Sequence, residues 1–243
     1  MEIDLKDVTM YLADGTAAQA PDVTGVTDGI SAEGQDEIEF VTGGVAAAGI
    51  ELGSWVAVGT TMRPRYFVVD IDGDTITLHK NLEEAIPDDT QLYVSAPKKL
   101  EFEIGEGNFT YSEKREREVK LSRGRLARVK DADEQPMDVN FDLIWETLTA
   151  HSGGNDVIPT DALKRKRSAA DWVSTGGECQ PFAVDVILDK RPDCATLTKP
   201  NELLIFPEFR YNSIDGDLSS AQLSVPGISF ALEPISIAYA DPE

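Results

Sequence analysis

From Asp138 to Glu146 the chain reads Asp-Val-Asn-Phe-Asp-Leu-Ile-Trp-Glu, and this run constrains the fold more than any other. Val139, Phe141, Leu143 and Trp145 fall on one parity; Asp138, Asn140 and Asp142 fall on the other. Side chains alternate across a strand, so a run of this length is a half-buried β-strand whose apolar row needs a second layer to pack on. Leu100, Phe102 and Ile104 alternate with Glu101 and Glu103 in the same way. Further strands are expected at 182–188, 202–206, 221–225 and 228–238, and earlier at 55–58, 66–71 and 75–78. Asp72-Gly73-Asp74 joins the last two of these as a hairpin turn. One helix is expected at about 160–174. Pro159-Thr160-Asp161 starts it, Leu163, Ala169, Ala170, Trp172 and Val173 recur at roughly helical spacing, and Gly176-Gly177 ends it. The basic run Lys164–Arg167 would be spread around that helix. One helix among many strands predicts a mainly β, α+β chain.

The 243 residues allow one large domain or two small ones, and 41% apolar residues support a substantial core, which excludes wholesale disorder. Forty-four acidic residues against 22 basic ones give a net charge of −22. That balance argues against a generic DNA binder, whose affinity rests on neutralising phosphates, but suits a surface that keeps DNA from sticking. No apolar run approaches the roughly 18–20 residues that span a bilayer. Met1–Asp7 has no basic start followed by an apolar stretch, so no signal peptide is expected. The charge is uneven: residues 1–97 hold 18 acidic and 4 basic side chains, and residues 98–243 hold 26 and 18. The seam near Ser95–Lys99 is a candidate domain boundary.

Motifs of chemistry are weak. Asp70-Ile-Asp-Gly-Asp74 looks like the start of a calcium loop, but glycine precedes the third acid and position twelve is Asn81, so a turn is the better reading. Gly105-Glu-Gly-Asn-Phe-Thr110 lacks the third glycine of a dinucleotide fingerprint and the apolar helix that should follow. His79 and His151 lie far apart with no neighbouring nucleophile, and nothing selects one carboxylate pair among 44 acids. No enzyme activity, cofactor or metal is expected. Cys179 and Cys194 are too few for a disulfide-built scaffold or a four-cysteine zinc site. They read as reduced, partly buried thiols, with a disulfide within or between chains as the alternative.

Residues 113–130 carry eight basic side chains, among them Lys114, Arg115, Arg117, Arg123, Arg125 and Arg128. Such a segment could be a nucleic-acid arm, but it has no aromatic residues for base stacking, and glutamates are interleaved at its start. On an acidic protein it is better suited to grip the acidic face of an identical neighbour, head to tail, which closes into rings or propagates as filaments. A solvated charged loop is the third option.

Several stretches, in order, resemble the tail tube proteins of long-tailed bacteriophages. They are Leu100-Glu-Phe-Glu-Ile-Gly-Glu-Gly-Asn-Phe-Thr-Tyr-Ser-Glu-Lys-Arg115, Leu121-Ser-Arg-Gly-Arg-Leu126, the alternating run 138–146, Asp161-Ala-Leu-Lys, Trp172-Val-Ser-Thr-Gly, Cys179-Gln-Pro-Phe-Ala-Val-Asp and Phe206-Pro-Glu-Phe-Arg-Tyr. The resemblance covers 98 to about 230 and the opening strand Leu5–Leu12. In simpler relatives that opening strand is followed almost directly by the segment matching Leu100–Asn108. Here about 20–96 would be an inserted small β domain, with strands near 38–41, 54–58, 65–71, 75–79 and 91–95. Its core would be Phe40, Trp55, Val58, Tyr66, Val68, Ile71, Ile76, Leu78 and Leu92, too small to stand alone without leaning on its host.

The resemblance implies a tail-tube β-sandwich from residues 1–19 and 97–243, two packed sheets flanked by a helix. Copies would form six-membered rings stacked into a hollow tube that conducts DNA. The partners would be the chain itself, the tape measure, tail tip and terminator proteins, and double-stranded DNA in transit without specific binding. No membrane is involved, and the place is the virion tail, assembled in the bacterial cytoplasm, with the insert on the tube exterior. Glu101, Glu103, Asp138, Asp142 and Asp185 are the candidate lumen-facing acids, and 110–135 is the candidate ring-to-ring contact. Competing readings are another β-rich virion component such as a tail-end connector, a tube component of a contractile injection machine, and a soluble monomeric binding module or a hydrolase with an unrecognised carboxylate site.

Overall fold

The described part of the alternating segment forms a strand with Val139, Phe141 and Leu143 buried, while Trp145 and Glu146 fall outside the described residues; the described elements are nearly all antiparallel strands. The structure is a computed structural model that describes residues 8–19, 31–58, 64–87, 90, 92–102, 108–114, 117–122, 125–131, 135–144, 157–177, 179–191, 201–217 and 222–239. In chain order come β1 (Val8–Ala13), β2 (Ala17–Gln19), β3 (Glu37–Glu39), the short helix α1 (Gly44–Ala47), β4 (Trp55–Val58), β5 (Arg65–Asp72), β6 (Thr75–Leu78) and β7 (Leu92–Ser95). Then follow β8 (Lys99–Phe102), β9 (Phe109–Ser112), β10 (Arg117–Ser122), β11 (Arg125–Asp131), β12 (Met137–Ile144), the helix α2 (Pro159–Lys164), β13 (Val184–Lys190), β14 (Asn201–Tyr211), β15 (Asp215–Asp217), β16 (Gln222–Ser229) and β17 (Ile235–Tyr239).

The larger sheet runs β8-β1-β13-β14-β16-β12-β9, with β17 on β14 and β15 on β16. It folds over on itself at β14. Pro207 and Glu208 together oppose the single residue Asp185, so the ladder slips there, and Glu208 takes a positive φ of 53°. Proline has no amide to donate to a ladder, and bulges are where sheets bend. The first half of β14 pairs with β13 and β17, and its last two residues pair with β16. The result is a sandwich. Leaf A holds β8, β1, β13, the start of β14 and β17; leaf G holds β15, β16, β12 and β9. Met10 and Leu12 of β1 and Val184, Val186 and Leu188 of β13 pack with Val139, Phe141 and Leu143 of β12 and Leu223 and Val225 of β16. Phe109, Phe141, Phe206 and Phe209 meet between the leaves at centroid distances of 5.1–6.4 Å. Gly227, opposite Tyr211, sits where β14 and β16 come closest: a Cβ there would lie 2.4 Å from the Arg210 carbonyl oxygen.

Residues 17–95 build a second, six-stranded sheet in the order β2-β7-β4-β5-β6-β3. It takes in Ala17–Gln19, so the excursion starts a few residues before position 20. Asp14 ties its two ends. The Asp14 carboxylate accepts the amides of Thr16, Lys98 and Val173, and the Thr16 carbonyl accepts the Ala96 amide. One face of this sheet has a core of Ile38, Phe40, Val56, Tyr66, Val68, Ile76, Leu78 and Leu92, closed by Val45, Leu82 and Ile86. Trp55 belongs to the other face. With Ala57 and Phe67 it packs on Ile187, Ile205 and Ile237 of leaf A. The small sheet therefore does lean on its host, and leaf A is covered on both sides. That is why β13 is buried along nearly its whole length.

Two expected elements differ. The helix expected at about 160–174 stops at Lys164: Arg165 turns left-handed (φ 49°), Lys166 is extended, and Arg167–Ala169 forms a single 3-10 turn. At about 100° per residue, Leu163 and Trp172 would point to opposite sides of one continuous helix. Breaking it buries both, with Ala162 and Ala169, in the same core. Likewise 228–238 is two strands, since the chain must leave leaf G after Ser229 and enter leaf A at Ile235; Pro234 lies in the crossing.

Candidate assembly surfaces

The basic segment forms the ribbon β10–β11. Arg117 lies opposite Asp131, Glu118 opposite Lys130, Val119 opposite Val129, Lys120 opposite Arg128, Leu121 opposite Leu126, and Ser122 opposite Arg125. Among the described residues these two strands pair with each other and with no other strand. A lone two-stranded ribbon is marginal in water. Of the basic residues singled out from sequence, Arg117, Arg125 and Arg128 lie on the ribbon, and Arg115 and Arg123 fall outside the described residues. Lys114 precedes the ribbon and is ion-paired to Asp138 at 2.7 Å.

The candidate acids do not share one surface. Glu103 falls outside the described residues. Asp138 and Asp142 lie on the outward face of leaf G. On the neighbouring strands of that face, Thr110 stands opposite Asn140, Ser112 opposite Asp138, Ser224 opposite Asp142, and Asp215 and Asp217 opposite Ser224 and Gln222. The same face also carries Pro226 opposite Asn140 and Ile228 opposite Asp138, so it is polar with an apolar pair. Glu101 is exposed and sits on leaf A opposite Tyr11, on the side turned to the small sheet.

Asp185 cannot face a lumen. It is 2% exposed, and its carboxylate accepts from Arg65 Nη1 at 2.6 Å and Nη2 at 3.1 Å and from the Glu208 amide at 2.9 Å. Arg65 comes from β5, so the pair bridges the two sheets. The Arg65 guanidinium also lies 5.4 Å from the ring centroids of both Trp55 and Phe67. The neighbouring acid Asp189 is buried too, held by Arg191 and the Tyr239 hydroxyl. Burial and that carboxylate push the Tyr239 phenol up to about 12. A signal for this was present in Val184-Asp-Val-Ile-Leu188: apolar residues on both parities mark a strand covered on both faces, where an acid needs a partner. Arg65, one of four basic residues before position 98, carried the complementary signal.

A cleft of about 1270 Å³ opens between the small sheet and the 230–236 segment. His79 is part of its wall. The Nδ1 atom accepts the Phe67 amide at 2.9 Å, which a protonated nitrogen cannot do. Burial first, then Lys80 and Arg65, bring its pKa down to about 4 from 6.5. The folded state thus prefers the neutral ring more than the unfolded chain does. The resulting stability is complete above pH 6.5 and is lost as pH falls toward 4. For a half-buried, partly screened ring the loss should be about 1–2 kcal/mol. Urea unfolding between these pH values should show that loss in the wild type and a flatter profile in His79→Gln; equal profiles would remove His79 from the acid response.

Cys179 is exposed, free and left-handed (φ 65°), and Cys194 lies outside the described residues. Among the described residues no three His, Cys, Asp or Glu side chains gather as a metal site. No helix among them is long and apolar enough to cross a membrane. Comparison of the chain with protein-family models, curated proteins and solved structures finds no match.

Proposed function

We propose that the chain is a structural virion protein, the subunit of a hollow bacteriophage tail tube that conducts genomic DNA. The observation that carries the reading is the basic ribbon β10–β11, paired only with itself among the described residues, on a chain of net charge −22. A ribbon marginal alone and opposite in charge to the rest of its molecule gains most by docking on an identical neighbour, and a head-to-tail contact of that kind propagates. The resemblance stated above supplies the six-membered ring.

Two further features support it. Among the described residues leaf G ends at β9, whose Thr110, Tyr111 and Ser112 are exposed, and an edge of that kind suits side-by-side closure of neighbouring subunits. The outward face of the same leaf carries Asp138, Asn140, Asp142, Ser224 and Asp215. Turned to a lumen, it would repel phosphates and let DNA slide. Asp185 and Asp189 of leaf A are structural in this account, and the small sheet lies on the far side of leaf A from leaf G, toward the tube exterior. Tape measure, tip and terminator proteins would meet the tube at its ends.

The test is the solution mass of the purified chain across concentration. The expected result is a species near 159 kDa, six times 26.5 kDa, and larger multiples above it. A chain of 26.5 kDa at every concentration, with or without tail-tip extract, favours a monomeric binding module and overturns the proposal.

A further inference from the structure

The lip of the cleft beside the small sheet carries apolar side chains that belong to neither core. Phe230 and Leu232, at its lip, are 56% and 47% exposed, among the few large apolar side chains left in water. Both sit in the crossing from β16 to β17 and project nothing into either core. Phe230 is overlain by the Arg210 guanidinium at 4.7 Å, which fixes one of its faces and leaves the other open. Asp36 and Glu233 are exposed on opposite walls of the cleft, and Glu37 and Glu39 continue the acidic row along β3. Lys80 is committed to Glu83 at 2.6 Å, and Arg65 to Asp185. His79 is neutral at physiological pH, so the carboxylates set the sign of the field. Beside the cleft, β17 has a strand neighbour on one side only among the described residues, and a sheet edge of that kind can accept an incoming strand.

An occupant for this site must therefore be extended, basic and partly apolar. Residues 117–131 contain six basic and two acidic side chains, with valine opposite valine and leucine opposite leucine in the register. We propose that the cleft between the small sheet and the 230–236 segment is the receptor for the β10–β11 ribbon of a second copy of this chain. The proposal rests on the self-assembly reading above and names the surface that reading leaves unassigned. It gives the small sheet a role in assembly, because one wall of the receptor belongs to it. Ribbon and cleft are different surfaces of one molecule, so the contact is head to tail and leaves a free ribbon and a free cleft after every addition.

Single-cysteine chains test this directly. With Cys179→Ser and Cys194→Ser in both, one chain carries Leu232→Cys and the other Ala127→Cys. Mixed and oxidised, they should form the mixed disulfide at least about tenfold faster than a control pair in which Asp215→Cys, on leaf G, replaces Leu232→Cys, the contact raising the local thiol concentration. In parallel, Leu232→Lys with Glu233→Lys places two cations on an exposed lip and should raise the concentration needed for assembly by about tenfold or more, since like charges facing each other are costly. The thermal melt of the monomer should stay that of the wild type. Cross-linking no faster than the control, or normal assembly of the lysine variant, overturns the receptor while tubes of the wild type leave the proposed function standing. A wild type that never assembles removes both.

Discussion

Replacing Asp185 by alanine is expected to cost about 3–5 kcal/mol of stability, the largest loss expected from a single substitution in this chain. Its partner Arg65 comes from the other sheet, and the two side chains are 6% and 3% exposed. Removing the carboxylate leaves a buried guanidinium whose nearest remaining acid is Glu208 at 4.0 Å. It also takes the acceptor from the Glu208 amide at the bulge where β14 changes leaves. Asp185→Ala thus damages the seam between the sheets and the corner of the sandwich together. The pair as a whole contributes much less than its rupture costs, because both ions were taken out of water to form it. The double variant Arg65→Met with Asp185→Leu should therefore recover most of the loss. Urea unfolding of the two variants decides it: a loss below about 1 kcal/mol in Asp185→Ala would mean that the guanidinium finds water there, contrary to its burial.

The second large effect concerns assembly rather than folding. Arg123→Glu with Arg125→Glu should abolish tube growth and leave the melting temperature within a degree or two of the wild type, since surface substitutions away from the core change stability little. Each reversal changes the charge by two, taking the chain from −22 to −26. Arg125 opens β11, Arg123 falls outside the described residues, and the ribbon pairs with no other strand among the described residues. An acidic ribbon tip facing an acidic neighbour turns attraction into repulsion. Electron microscopy and solution mass of the variant check this. Normal tubes would show that the ribbon is not the contact, and loss of DNA binding with assembly intact would return it to the role of a nucleic-acid arm.

Much of the architecture was legible in local patterns. Asp138–Leu143 alternates because one face of β12 is core and the other water, and the ladder follows that parity. The turn at Asp72-Gly73-Asp74 was equally plain: Gly73 takes φ 63° and Asp72 pairs with Thr75. What sequence hid was set by tertiary contacts. Trp55 read as a core residue of the small sheet, yet it faces leaf A, because parity says which residues share a face and not what lies opposite that face. Asp185 read as a polar member of an alternating strand for the same reason. Roughly helical spacing over 163–173 does not make one helix, because about 100° per residue sets Leu163 and Trp172 on opposite sides of it. The two walls of the cleft are separated by some 150 residues, so no pattern in sequence could have joined them. Of the candidate site, the basic segment was visible as composition alone, and that it pairs with no other strand among the described residues needed the topology.

The most direct test of the central claim is negative-stain electron microscopy of the purified, concentrated wild-type chain at moderate salt, with its solution mass measured on the same sample. The account predicts hollow tubes of uniform width, with rings near 159 kDa as the building unit. Rings that never stack would point to a tail-end connector. A monodisperse 26.5 kDa chain with no rings or tubes, even after addition of tail-tip extract, would contradict it.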